Sequence, residues 1–114
     1  MILGETEIAK AVREAVNASR LAYVFRVQSG TRSGGRFRMA EAGTPDAIGY
    51  IRDGSGRMVA IEIKTSSGKL SLTQEEWMAN ARAAGVLCIV ARSPEDAIVS
   101  LLADRNERMK AGER

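Results

Sequence analysis

The apolar positions of the chain recur with two periods, and the points where the period changes mark out its elements. From Glu5 to about Asn17, the residues Ile8, Val12, Ala15 and Val16 return at helical spacing and predict an amphipathic first helix. Glu5 lies three residues before Ile8 and seven before Val12, so it is expected on their inward face. Glu7 turns instead toward Lys10, Ala11 and Glu14, a more exposed face. "LAYVFRVQ", Leu21 to Gln28, is rich in β-branched and aromatic residues and reads as a strand. Ser29 to Ala42 is a long glycine-broken loop, of a kind that is usually functional or mobile. Two strands follow, Asp46 to Arg52 and Arg57 to Thr65, joined by the hairpin signal "DGSG". After the loop "SSGKLS", a helix is predicted from about Leu72 to Ala84, stopped by Gly85. "VLCIVA", Val86 to Ala91, is a continuous apolar run, as expected of a buried strand. Ser93 caps a last helix that carries Pro94 at its first position and acids in its first turn. The tail from Arg105 to Arg114 loses the period and is expected to fray.

The resulting order, α-β-β-β-α-β-α, predicts an α/β fold: a mixed four-stranded sheet with flanking helices and a right-handed crossover before the fourth strand. A chain of 114 residues makes one domain, 1–114, with its core at about 5–104, large enough to need no disulfide or metal staple.

Composition removes several kinds of chemistry. There is no histidine, which excludes Ser-His-Asp and Cys-His catalysis and histidine-ligated zinc. The one cysteine, Cys88, sits in an apolar run and reads as a small core residue. Any metal site must therefore be built from oxygen ligands, which points to magnesium or manganese. The start of the chain turns polar after three residues, and no apolar run approaches the roughly 18 needed for a membrane span. The expectation is a cytoplasmic protein in a reducing compartment, in a bacterial or phage-infected cell or on the nucleoid, with no membrane partner.

Against that background, "MVAIEIKT" is the anomaly. Glu62 and Lys64 lie on one face of an otherwise apolar strand, while Val59, Ile61 and Ile63 form the other. A charge buried in a strand costs several kcal/mol unless it is paired or binds something. A hairpin register symmetric about Gly54 sets Arg52 opposite Gly56 and Asp46 opposite Glu62. The two Cβ atoms would then be roughly 4.5–5.5 Å apart. A slip of one residue would turn Asp46 to the other face. Two carboxylates that close repel unless a cation lies between them. The physical reading is a divalent-metal site of Asp46, Glu62 and the Ile63 backbone carbonyl, with Lys64 beside it to hold water and steady a phosphate.

Charge adds a second feature. Between Glu14 and Glu41 there is no acid, while Arg20, Arg26, Arg32, Arg36 and Arg38 all fall there. "RVQSGTRSGGRFR" reads as a loop able to follow a phosphate backbone, or as a solvated loop that aids solubility. Arg26, Ser29, Arg32, Arg36, Arg38 and the later Lys69 are the candidate nucleic-acid contacts.

"GTPD" followed by "IEIKT" resembles the two halves of the PD-(D/E)XK nuclease motif. With "ETEIAKAV", "RVQSG", "GTPDAIG", "AIEIKTSSGKLSLTQEEW" and "ARAAGVLCIVARSPEDA", the chain is similar to the VRR-NUC (virus-type replication-repair nuclease) family from about Glu5 to Ala97. Gln28 departs from the asparagine expected in "RVQSG". The resemblance implies a restriction-endonuclease-like fold and magnesium- or manganese-dependent hydrolysis of DNA. It assigns Asp46, Glu62 and Lys64 to the catalytic core. It makes Glu5 an acid that reaches the metal directly or through water, and gives Gln74 an orienting or substrate-contacting role. Ser71-x-x-Gln74 and Thr73-x-x-Glu76 are also capping boxes, which would account for Gln74 without catalysis. Small stand-alone members resemble Holliday-junction resolvases, so a homodimer cutting branched DNA in replication, repair or recombination is expected. A general or restriction-type nuclease, or a non-catalytic nucleic-acid-binding or assembly protein of the same fold, stays open at this point.

Overall fold

The computed structural model describes residues 3–27 and 40–112. Its elements are α1 (Glu5–Ser19), β1 (Ala22–Arg26), β2 (Ala47–Ile51), β3 (Met58–Ile63), α2 (Leu72–Ala83), β4 (Leu87–Ala91) and α3 (Pro94–Gly112). The sheet runs in the order β1-β2-β3-β4, with the first two pairings antiparallel and β3-β4 parallel. The predicted mixed α/β architecture is the observed one.

Helices α1 and α3 cover one face of the sheet. Ile8, Val12 and Val16 of α1 and Ala97 and Leu101 of α3 pack on Val24, Val59, Ile61, Ile63 and Ile89, the larger of two apolar clusters. On the other face α2 covers only the β3 and β4 half, where Met78 packs with Ala60 and Cys88 and is flanked by Trp77. Cys88 is a free, buried core thiol, as its apolar run indicated.

Each element ends for a local reason. The Gly4 N–H bonds the Glu7 carboxylate at 3.1 Å, closing the start of α1. The Asn17 side chain then grips edge strand β1, accepting from the Val24 N–H at 2.8 Å and donating to the Val24 carbonyl at 3.0 Å. This satisfies backbone groups on the open edge of the sheet. Gly49 lets β1 and β2 close up, because a Cβ there would lie 1.7 Å from the Tyr23 carbonyl oxygen. Gly85, at φ 97°, follows the C-cap of α2 as expected.

The tail differs from expectation. Helix α3 continues through Gly112 instead of fraying after Asp104. Two ion pairs with the β2–β3 hairpin region explain it: Arg57 to Asp104 at 2.8 Å and Arg108 to Asp53 at 3.4 Å. Lys110 in the last turn also complements the helix dipole. Helical period alone cannot reveal such long-range tethers.

Candidate active site

The β2–β3 register is symmetric about Gly54. Ala47 stands opposite Ile61, Ile48 opposite Ala60, Gly49 opposite Val59 and Tyr50 opposite Met58. One step further lie Asp46 and Glu62. Asp46 leaves the ladder there, and its Oδ2 accepts the Ile63 N–H at 2.7 Å. A continued ladder would pair Ile63 with Pro45, which has no N–H to offer in return. The N–H and C=O of one strand residue point the same way. The Ile63 carbonyl therefore faces Pro45 and gains no donor from it.

Glu62 is 3% exposed and is the buried charged residue among the described side chains. Its Oε2 accepts a hydrogen bond from Gln74 Nε2 at 2.8 Å and lies 3.7 Å from Lys64 Nζ. Burial above all, and next the Asp46 charge, push the Glu62 pKa up to about 8. Lys64 pulls the other way, while a hydrogen bond with Asp46 and the charge of Glu5 add to the rise.

Gln74 both closes the capping box of α2 and bonds Glu62. Its Oε1 accepts the Ser71 N–H at 2.9 Å, and its own N–H bonds the Ser71 hydroxyl at 3.2 Å. That capping box fixes the backbone of α2 and leaves the amide nitrogen free to hold Glu62. Ser71, rather than Thr73, is the N-cap. Gly43, at φ 87°, lets the "GTPD" segment lie directly on the first turn of α2. A Cβ at Gly43 would meet the Thr73 carbonyl oxygen at 2.6 Å.

The structure therefore brings together Asp46, Glu62, Ile63, Lys64 and Gln74. Glu5 is exposed at the start of α1, one turn before Ile8, and its charge reaches Glu62. Among the described residues no group of three or more acids, histidines or cysteines is placed to hold a metal. Asp46 and Glu62 with a backbone carbonyl would leave the remaining positions of a hard cation to water and phosphate, a donor set that suits magnesium or manganese. Lys69 and Arg26 are exposed, on the loop after β3 and at the end of β1. Ser29, Arg32, Arg36 and Arg38 lie outside the described residues.

Sequence reasoning missed Arg92. Its Nη1 donates to the carbonyls of Thr65 and Gly68, both at 2.6 Å, and so holds the loop that leaves Lys64. A lone arginine after a buried strand carries no signal that separates a clamp from a solvated side chain. No helix among the described residues is long and apolar enough to cross a membrane.

Compared with known families, the chain matches the VRR-NUC domain over residues 4–95. No curated protein matches it.

Proposed function

The chain belongs to the VRR-NUC family, nucleases of the PD-(D/E)XK type, and from that premise we propose a metal-dependent DNA endonuclease that prefers branched substrates and works as a homodimer. The observation that carries the reading is the juxtaposition of Asp46 with a buried Glu62 that is held by Gln74 and neighboured by Lys64. A protein that only bound nucleic acid would gain nothing from bearing the cost of that buried acid.

Asp46, Glu62 and the Ile63 carbonyl would hold Mg2+ or Mn2+, with Glu5 near enough to join directly or through water. When bound, the ion would supply Lewis-acid polarisation of the phosphodiester and a more acidic water. Glu62 would serve as a carboxylate, kept oriented by Gln74 through Oε2. Lys64, 3.7 Å from that oxygen, carries its positive charge beside the acid pair, where it holds the attacking water and offsets charge on the phosphate. Asp46 stays fixed by the Ile63 N–H. Arg26, Arg32, Arg36, Arg38 and Lys69, with the Ser29 hydroxyl, supply phosphate contacts along the backbone of the substrate.

The test is cleavage of an end-labelled four-way junction and of a linear duplex of the same sequence, in magnesium and in chelator. The expected result is metal-dependent cutting of the junction in preference to the duplex, lost in Glu62→Ala and Lys64→Ala with binding retained. If both variants cut as well as wild type, this site does not perform the reaction. If the junction and the duplex are cut equally, branch preference is wrong.

A further inference from the structure

Among the described residues no helix covers the β1–β2 half of the sheet face on which α2 packs, and three aromatic rings stand there. Tyr23, Phe25 and Tyr50 are 41, 51 and 51% exposed. Their rings form one group, with centroids 5.6 Å apart for Tyr23–Tyr50 and 6.4 Å for Tyr23–Phe25. Register places them on the face that carries the acid pair: Tyr23 is opposite Tyr50, Phe25 is opposite Ile48, and Asp46 is the next β2 residue on that side. The Arg52 N–H extends the ladder to the Leu21 carbonyl at 2.9 Å, so alternation puts Arg52 on the same face beyond Tyr50. At the hairpin end of β2, Tyr50, Ile51, Arg52, Gly54 and Gly56 line an open hollow of about 390 Å³.

From this layout we infer that the aromatic face is a stacking platform for unpaired bases of the DNA on which the acid pair acts. The inference rests on the nuclease reading and adds a substrate feature to it, a single-stranded segment next to the scissile bond. Aromatic rings stack bases of any sequence, and an arginine at the end of the row can take a phosphate or lie over a base.

A second copy of the chain is the competing occupant, and the dimensions argue against it. A standard interface buries about 800 Å² on each partner, a disc of about 16 Å radius. Asp46 lies only about 13 Å from Tyr50 along β2. A copy seated on the rings would therefore cover the acid pair and shut out a polymer substrate.

The experiment has two arms. In the first, 4-thiothymidine-labelled single strand and flapped duplex are photocrosslinked to the wild-type protein, and the attached peptides are identified by mass spectrometry. Crosslinks on β1 and β2 at Tyr23, Phe25 or Tyr50 are expected, and crosslinks confined to other elements overturn the inference. In the second, anisotropy measures binding of single-stranded, flapped and blunt DNA to Tyr50→Ala, Phe25→Ala and Tyr50→Phe. Each alanine variant should lose roughly 5- to 100-fold in affinity for single-stranded and flapped DNA. Blunt-duplex affinity should stay within about twofold, and Tyr50→Phe should behave as wild type. If the alanine variants bind all three probes normally and light scattering shows a dimer falling to monomer, the face serves a second copy. If junction cleavage persists while the platform arm fails, only this inference falls. If no DNA binds at all, the nuclease reading falls with it.

Discussion

Gln74 donates from Nε2 to Oε2 of Glu62 at 2.8 Å while its Oε1 closes the N-terminus of α2 on Ser71. One side chain thus ties the start of a helix to the buried acid of a strand. The local cap and the hold on Glu62 are one device.

Gln74→Ala should weaken both. Ser71 still caps α2 through the backbone N–H of residue 74, so only the bond from the Ser71 N–H to Oε1 is lost, at about 0.5–1.5 kcal/mol. Loss of an outer partner of a ligand costs roughly 10- to 100-fold in metal affinity or activity. Gln74→Glu can still accept the Ser71 N–H but sets a second acid against Glu62, so metal-free Glu62 should titrate still higher. Thermal melts and magnesium titrations of the two variants separate these effects.

Stability without metal should depend on pH through Glu62. Its carboxyl is raised from 4.5 to about 8 in the folded chain, so between those values the native state holds a proton that the unfolded chain has released. This contribution is fully present below about pH 4.5 and is lost as pH rises toward 8. Melting in chelator should show a decline across that window, and Glu62→Gln should remove most of it. Magnesium needs the carboxylate, so its affinity should climb over the same range and its binding should release a proton. Calorimetry in buffers of different ionisation enthalpy measures that proton.

Arg92→Ala should loosen the loop from Thr65 to Gly68 without unfolding the domain. Each hydrogen bond from a charged donor is worth about 1.5–3 kcal/mol when shielded, and less here because Arg92 is exposed. The expected result is faster amide exchange around Gly68 and a lower kcat with little change in melting temperature. Unchanged exchange in that loop would count against the clamp.

Gly43→Ala should be costly although the position is only half-buried. Its φ of 87° disfavours any side chain, and the Thr73 carbonyl oxygen blocks the added carbon. A loss of more than ~1 kcal/mol is expected, along with weaker metal binding as the "GTPD" segment shifts away from α2. Denaturant unfolding and magnesium titration read the two consequences.

Much of the site could be read before the fold was known because its chemistry is local to one hairpin. "DGSG" names the turn, alternation assigns the faces, and together they put Asp46 beside Glu62. Gln74 could be noticed but not assigned, since a capping box accounts for the same residues and only the packing of α2 on β3 brings its amide to Glu62. Helical phase put Glu5 on the side of Ile8, and its charge does reach Glu62, but the first turn of α1 is open to solvent, so phase alone says little about burial there. The aromatic face, the Arg92 clamp and the extended α3 depend on where α2 lands and which distant charges meet. Period and composition carry neither.

The proposed activity requires Asp46 and Glu62 to share a divalent cation, and a crystal soaked in manganese above pH 8 shows whether they do. An anomalous peak is expected between the two carboxylates, within reach of the Ile63 carbonyl. Manganese bound only elsewhere, with the acid pair unchanged and Glu62 still on Gln74 and Lys64, would contradict it.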